Sequence, residues 1–84
     1  MSIKETLKKQ IIYRSIHRGT KEMDILLGNF VKKNINDFSL TELRDLEAIL
    51  NIDDDVIFSW YFNKTNKNII QKNKISEKLK KFKP

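Results

Sequence analysis

Ile16-His17-Arg18-Gly19-Thr20-Lys21-Glu22-Met23-Asp24-Ile25-Leu26-Leu27-Gly28-Asn29-Phe30 is the stretch that decides how this chain folds. A basic pair meets a glycine, and an amphipathic segment follows at once. Gly19 ends one helical pattern and Thr20 stands at the cap of the next. From there Met23, Leu26, Leu27, Phe30 and Val31 recur at steps of three and four, the stripe of a half-buried helix. Glu22 and Asp24 lie in its first turn and Lys32 and Lys33 in its last, each matching the sign of the helix dipole. Glycine has no side chain to keep a partner away, so the joint is expected to show open backbone beside two exposed opposite charges, Arg18 and Glu22. That describes a docking surface, not a reaction centre.

Outward from this joint the pattern stays helical. Upstream, Ile3, Leu7 and Ile11 fall at steps of four, with Ile12 and Ile16 widening the apolar face, and this helix should end near residues 15–18. Downstream, Ser39-Leu40-Thr41-Glu42 reads as a capping box, followed by Leu40, Leu43, Leu46, Ile49 and Leu50 along one face. A fourth helix is expected from Asp53-Asp54-Asp55, burying Val56, Ile57, Trp60 and Tyr61, with Phe58 and Phe62 toward another side. Asn63-Lys64-Thr65-Asn66 reads as a loop. A last helix over about residues 68–81 carries a thinner stripe of Ile69, Ile70, Ile75, Leu79 and Phe82, and its end should fray. There are two glycines and one terminal proline, and no stretch alternates long enough for a strand. The fold class expected is all-α, a compact five-helix bundle forming one domain over residues 1–84, with a basic C-terminal helix and tail over 63–84.

Composition narrows the function. Eighty-four residues with 39% hydrophobic content hold one modest core, and a mean hydropathy of −0.54 suits a small soluble protein. Cysteine is absent and histidine occurs once, which excludes disulfides, thiolate metal sites and multi-histidine sites. The net charge of +6 is unevenly placed. Residues 1–21 carry six Lys/Arg against one Glu, residues 22–62 three against nine acidic groups, and residues 63–84 eight Lys against one Glu. The basic character therefore belongs to the two ends, and the pI of 9.7 is weak support for nucleic-acid binding. No apolar run is long enough to span a membrane. The N-terminal segment is basic and amphipathic in the manner of an organellar leader, but it contains Glu5 and runs directly into the Arg-Gly joint. A cytoplasmic bacterial protein without signal peptide or cleavable presequence is expected.

Candidates for catalysis are poor. His17 has no cysteine to activate, and the Asp53-Asp54-Asp55 run is explained by its place at a helix start. That run lacks the glycine at position six and glutamate at position twelve that a calcium loop needs. No glycine loop is present to cradle phosphate. The chain is read as a non-enzyme, and as holding no metal or cofactor of its own.

Several motifs resemble the succinate dehydrogenase assembly factor 2 family, small flavinylation factors of bacteria and mitochondria. The family's R-G-x-x-E stands here as Arg18-Gly19-Thr20-Lys21-Glu22, and its E-[LM]-D with a downstream aromatic as Glu22-Met23-Asp24 and Phe30. A second block, an acidic pair then F-x-W, stands as Asp53-Asp54 and Phe58-Ser59-Trp60. The likeness covers residues 13–62 in order and spacing, and only charge and helical pattern beyond. His17 replaces a frequent arginine, and Asp55 a common proline whose fixed φ would have pre-set the helix start.

The resemblance implies a partner, the flavoprotein subunit of succinate dehydrogenase, with fumarate reductase as a further candidate. It implies promotion of covalent FAD attachment to a histidine of that subunit by stabilising a reactive conformation, with no FAD held stably by this chain. It implies a partner-binding set of Arg18, Gly19 and Glu22, flanked by His17, Lys21 and Asp24, on a protein that is monomeric when free. In this reading Gly19 admits the client's backbone while Arg18 and Glu22 supply charge-assisted hydrogen bonds. The alternative from another class is a small basic nucleic-acid-binding regulator. It requires salt-sensitive affinity for DNA or RNA, yet the second helix opens with Glu22 and Asp24, which repel phosphate. The assembly-factor reading therefore excludes nucleic acid and membrane as partners.

Overall fold

The computed structural model describes residues 2–62 and 70–84. Its elements are α1 (Ile3–Ile16), α2 (Lys21–Asn34), a 3-10 turn (Ile35–Asp37), α3 (Leu40–Leu50), α4 (Asp54–Tyr61) and α5 (Lys74–Lys81). The all-α class and the five helices match the sequence reading, and the loop expected at 63–66 lies outside the described residues. The radius of gyration is 12.1 Å, as compact as a folded chain of this length, about 12 Å, should be.

Helix starts follow local chemistry. The Ser2 hydroxyl accepts from the Glu5 N–H to open α1. At α3 the capping box forms in full, with the Glu42 N–H on the Ser39 hydroxyl at 3.2 Å and the Ser39 N–H on Glu42 Oε1 at 2.9 Å. These bonds, first the backbone N–H of Ser39 and then its side chain, hold the Glu42 carboxyl below the usual carboxylate range; desolvation opposes them, and Lys74 and Lys78 add to the lowering. Helix α5 starts later than the sequence suggested. Asn73 caps it, and its side chain accepts from the Ser76 N–H while the Ser76 hydroxyl accepts from the Asn73 N–H. Ile70 is buried ahead of the helix, and Asn68 and Ile69 lie outside the described residues.

The core joins Met23, Leu26, Leu27, Phe30 and Val31 of α2 to Leu43, Leu46, Ile49 and Leu50 of α3, as the stripes require. Ile35 and Phe38, which no helical stripe marked, close it from the 3-10 turn. Helix α1 departs from expectation. Only Leu7, Ile11 and Ser15 are buried, while Ile3, Ile12 and Ile16 stay exposed. The buried strip is one residue wide because α2 comes very close at its far end. A Cβ on Gly28 would stand 2.9 Å from Ile16 Cγ2 and 3.9 Å from the Ser15 carbonyl. Serine fits there with its hydroxyl donating back to the Ile12 carbonyl at 2.8 Å.

Helix α1 packs on α2 and α3, and α3 on α5. Helix α4 has no comparably close helix neighbour among the described residues. Of its expected buried face only Ile57 is wholly buried; Val56, Trp60 and Tyr61 are half-buried. Its C-terminal end is tied to α5. Lys80 Nζ lies 4.8 Å from the Trp60 ring centroid and donates to the Trp60 carbonyl, and the Tyr61 hydroxyl donates to the Phe82 carbonyl. Phe82 also meets Phe30 edge-on at 5.4 Å, a contact that ties the end where fraying was expected to the core. Phe62 is exposed, its ring tilted at 45° against the half-buried Phe58 with centroids 4.6 Å apart.

Candidate functional site at the Gly19 bend

Helix α1 stops at Ile16, and Gly19 takes φ +93°, a left-handed conformation that L side chains adopt only with strain. Among the described residues, nothing beyond its chain neighbours lies within 4 Å of where its Cβ would stand, so glycine is required here by the backbone and not by crowding. The bend is open to solvent, as the sequence suggested. Thr20 takes the N-cap position without a side-chain cap bond. Asp24 orders the turn instead, its Oδ1 accepting the Arg18 N–H at 2.9 Å.

The six sequence-nominated residues divide into two groups. His17, Gly19, Lys21 and Glu22 lie on the outside. The His17 ring stacks on Tyr13 with centroids 4.0 Å apart and donates from Nδ1 to the Tyr13 carbonyl at 2.8 Å, which closes the end of α1. Glu22 forms no side-chain bond among the described residues. Asp24 is half-buried in the turn.

Arg18 corrects the expectation of two exposed charges. Its side chain is 10% exposed and its guanidinium faces inward. Nε donates to Asp54 Oδ1 at 2.7 Å, Nη1 to the Leu50 carbonyl at 2.6 Å and Nη2 to the Ile52 carbonyl at 2.9 Å. The two carbonyls belong to the C-terminal end of α3 and the residues after it, where helix carbonyls lack intrahelical partners and carry negative dipole charge. Asp54 is the first residue of α4. One planar fork thus joins the end of α1, the end of α3 and the start of α4, a geometry lysine cannot copy. Arg14 adds a bond to Asn51 Oδ1 in the same joint. No sequence pattern announces these partners, because they lie more than thirty positions away and two are backbone carbonyls.

Two shallow clefts flank the bend. One, of about 310 Å³, lies between Arg14, His17 and Arg18 on one side and residues 50–54 on the other. The second, of about 280 Å³, is lined by Thr20, Glu22, Met23, Asp54, Asp55 and Phe58. Its carboxylates would repel the pyrophosphate of a dinucleotide. Among the described residues no group of three or more His, Asp or Glu is placed to hold a metal ion. No helix among them is long and apolar enough to cross a membrane. What the bend offers is exposed backbone, a carboxylate without a side-chain partner among the described residues, and the Arg18 fork beneath them.

A family model described as the flavinator of succinate dehydrogenase matches residues 9–83. The chain belongs to this family. Among curated flavinator-family relatives, the mitochondrial succinate dehydrogenase assembly factor 2 of Dictyostelium discoideum is 40% identical over 60 residues, covering 71% of this chain and 43% of that protein. The FAD assembly factor SdhE of Acetobacter pasteurianus is 39% identical over 57 residues, covering 68% and 52%. The mitochondrial assembly factor 2 of Caenorhabditis briggsae is 32% identical over 78 residues, covering 89% and 64%. The chain spans roughly half the length of the curated relatives it matches. No solved structure gives a significant match. The flavinator match runs from α1 through α5, so it takes in the Gly19 bend and both flanking clefts.

Proposed function

We propose that this chain binds the flavoprotein subunit of succinate dehydrogenase in the bacterial cytoplasm and promotes covalent attachment of FAD to it, without contributing catalytic side chains. The observation that carries the reading is the family match over residues 9–83, which takes in a bend whose Gly19 backbone is open and whose Glu22 has no side-chain partner among the described residues. Names of relatives that speak of FAD assembly and of succinate dehydrogenase support the same client. The exposed Gly19 backbone and the outward-facing Glu22 suit a docking contact, and we read the contribution to flavinylation as conformational. Preferential binding to one arrangement of the flavoprotein raises the population in which flavin and acceptor residue are aligned, by as much as the difference in affinity between arrangements. Gly19 lets client backbone approach, Glu22 accepts charge-assisted hydrogen bonds, and His17 and Lys21 edge the contact.

The test is co-purification and covalent flavin content in cells carrying Gly19→Arg or Glu22→Ala. Both variants should keep the helical circular dichroism of the wild type while losing the flavoprotein and lowering covalent flavin. Normal covalent flavin in either would remove the bend from the interaction.

A further inference from the structure

The family motif counts Arg18 with Gly19 and Glu22, yet its side chain points away from the surface they form. We infer that Arg18 is a positioning residue for the client interaction, acting through Asp54 to hold the first turn of α4 beside the first turn of α2. The inference rests on the client reading above and deepens it.

Three observations carry it. All three guanidinium bonds go to residues 50–54, and 10% exposure leaves the side chain little reach toward a partner. Helix α4 has a single wholly buried side chain, Ile57, with Phe58, Trp60 and Tyr61 only partly buried against the core, and the bond from Nε to Asp54 ties its first residue to the bend. The cleft of about 280 Å³ places Glu22 of α2 together with Asp55 and Phe58 of α4 on one surface. Glu22 comes from the first motif block and Phe58 from the second, so the two blocks, some thirty residues apart in the chain, meet at this cleft. The client surface is therefore composite, and its two halves keep their relative placement only while the Arg18 fork is closed. Releasing α4 would carry Asp55 and Phe58 away from Glu22 without removing any contacting group.

The experiment measures affinity of the full chain for the flavoprotein subunit of succinate dehydrogenase lacking covalent flavin, at a temperature where circular dichroism shows every variant folded. Arg18→Ala and Asp54→Ala should each weaken binding about tenfold, and the double variant by about the same factor, because both remove one placement. Arg18→Lys keeps the charge but not the fork and should fail to restore affinity. Phe58→Ala should weaken binding with Arg18 intact. A double variant weakened about a hundredfold, the product expected of independent contacts, would overturn the inference. So would wild-type affinity in Arg18→Lys alongside a loss in Arg18→Ala, which would mark a direct charge contact. Absence of binding by the wild-type chain would instead overturn the proposed function itself, and this inference with it.

Discussion

Replacing Arg18 by alanine gives the sharpest test of the architecture. The substitution removes three charge-assisted bonds, leaves Asp54 at 17% exposure without its cation, and strips the Leu50 and Ile52 carbonyls of donors. Breaking a fully buried ion pair costs about 3–5 kcal/mol, and hydrogen bonds to charged groups contribute about 1.5–3 kcal/mol each, though not additively. Here the open cleft beside the joint lets water reach the freed groups, which lowers the cost to about 2–4 kcal/mol. In a domain this size that is a large share of about 5–10 kcal/mol in total. At roughly 4–8 °C per kcal/mol, a loss of about 3 kcal/mol moves the midpoint down by roughly 12–24 °C. Arg18→Lys keeps one bond of the three and should cost about half as much. Thermal and urea unfolding followed by circular dichroism read both values. A loss below about 0.5 kcal/mol for Arg18→Ala, the size of an ordinary surface change, would refute the reasoning.

Gly19→Ala should destabilise by about 1–2 kcal/mol through the left-handed backbone alone, since no atom obstructs the new methyl; urea unfolding showing no change would mean the bend is not held at positive φ. Gly28→Ala should yield none of the helix-propensity gain of about 1 kcal/mol in the wild type, because its Cβ meets Ile16 Cγ2. In an Ile16→Ala background the same change should stabilise by about that amount, and equal effects in the two backgrounds would disprove the close approach. Glu42 has its pKa lowered by folding, so its contribution is present above the unfolded value and is lost as pH falls through the folded one. Glu42→Gln should therefore flatten the acid limb of a stability-versus-pH curve, and an unchanged acid limb would show that the capping box does not titrate with folding.

Much of this was legible in the sequence where the cause is local. The break at Gly19, the stripe of α2 and the Ser39 box depend on neighbours within four positions, and each formed where the pattern placed it. Helix α1 differs from the sequence reading because its apolar residues occupy two adjacent faces, and only the packing of the other helices selects the one with Leu7, Ile11 and Ser15. The start of α5 was placed early because apolar Ile70 extended the apparent stripe, whereas Asn73 and Ser76 carried the capping signal. For the site, the exposed backbone of Gly19 followed from residue type alone. The inward turn of Arg18 did not, because its acceptors are the carbonyls that end α3 and a carboxylate that the sequence assigned to the helix dipole.

The choice of acceptors around Arg18 also settles how the joint meets acid. A guanidinium stays cationic at any pH a cell encounters, and two of its three bonds end on peptide oxygens, which do not titrate. Its link to the first residue of α4, by contrast, runs through the Asp54 carboxylate. The end of α1 therefore stays latched to the end of α3 through groups that carry no titratable proton, while the hold on α4 rests on a single carboxylate.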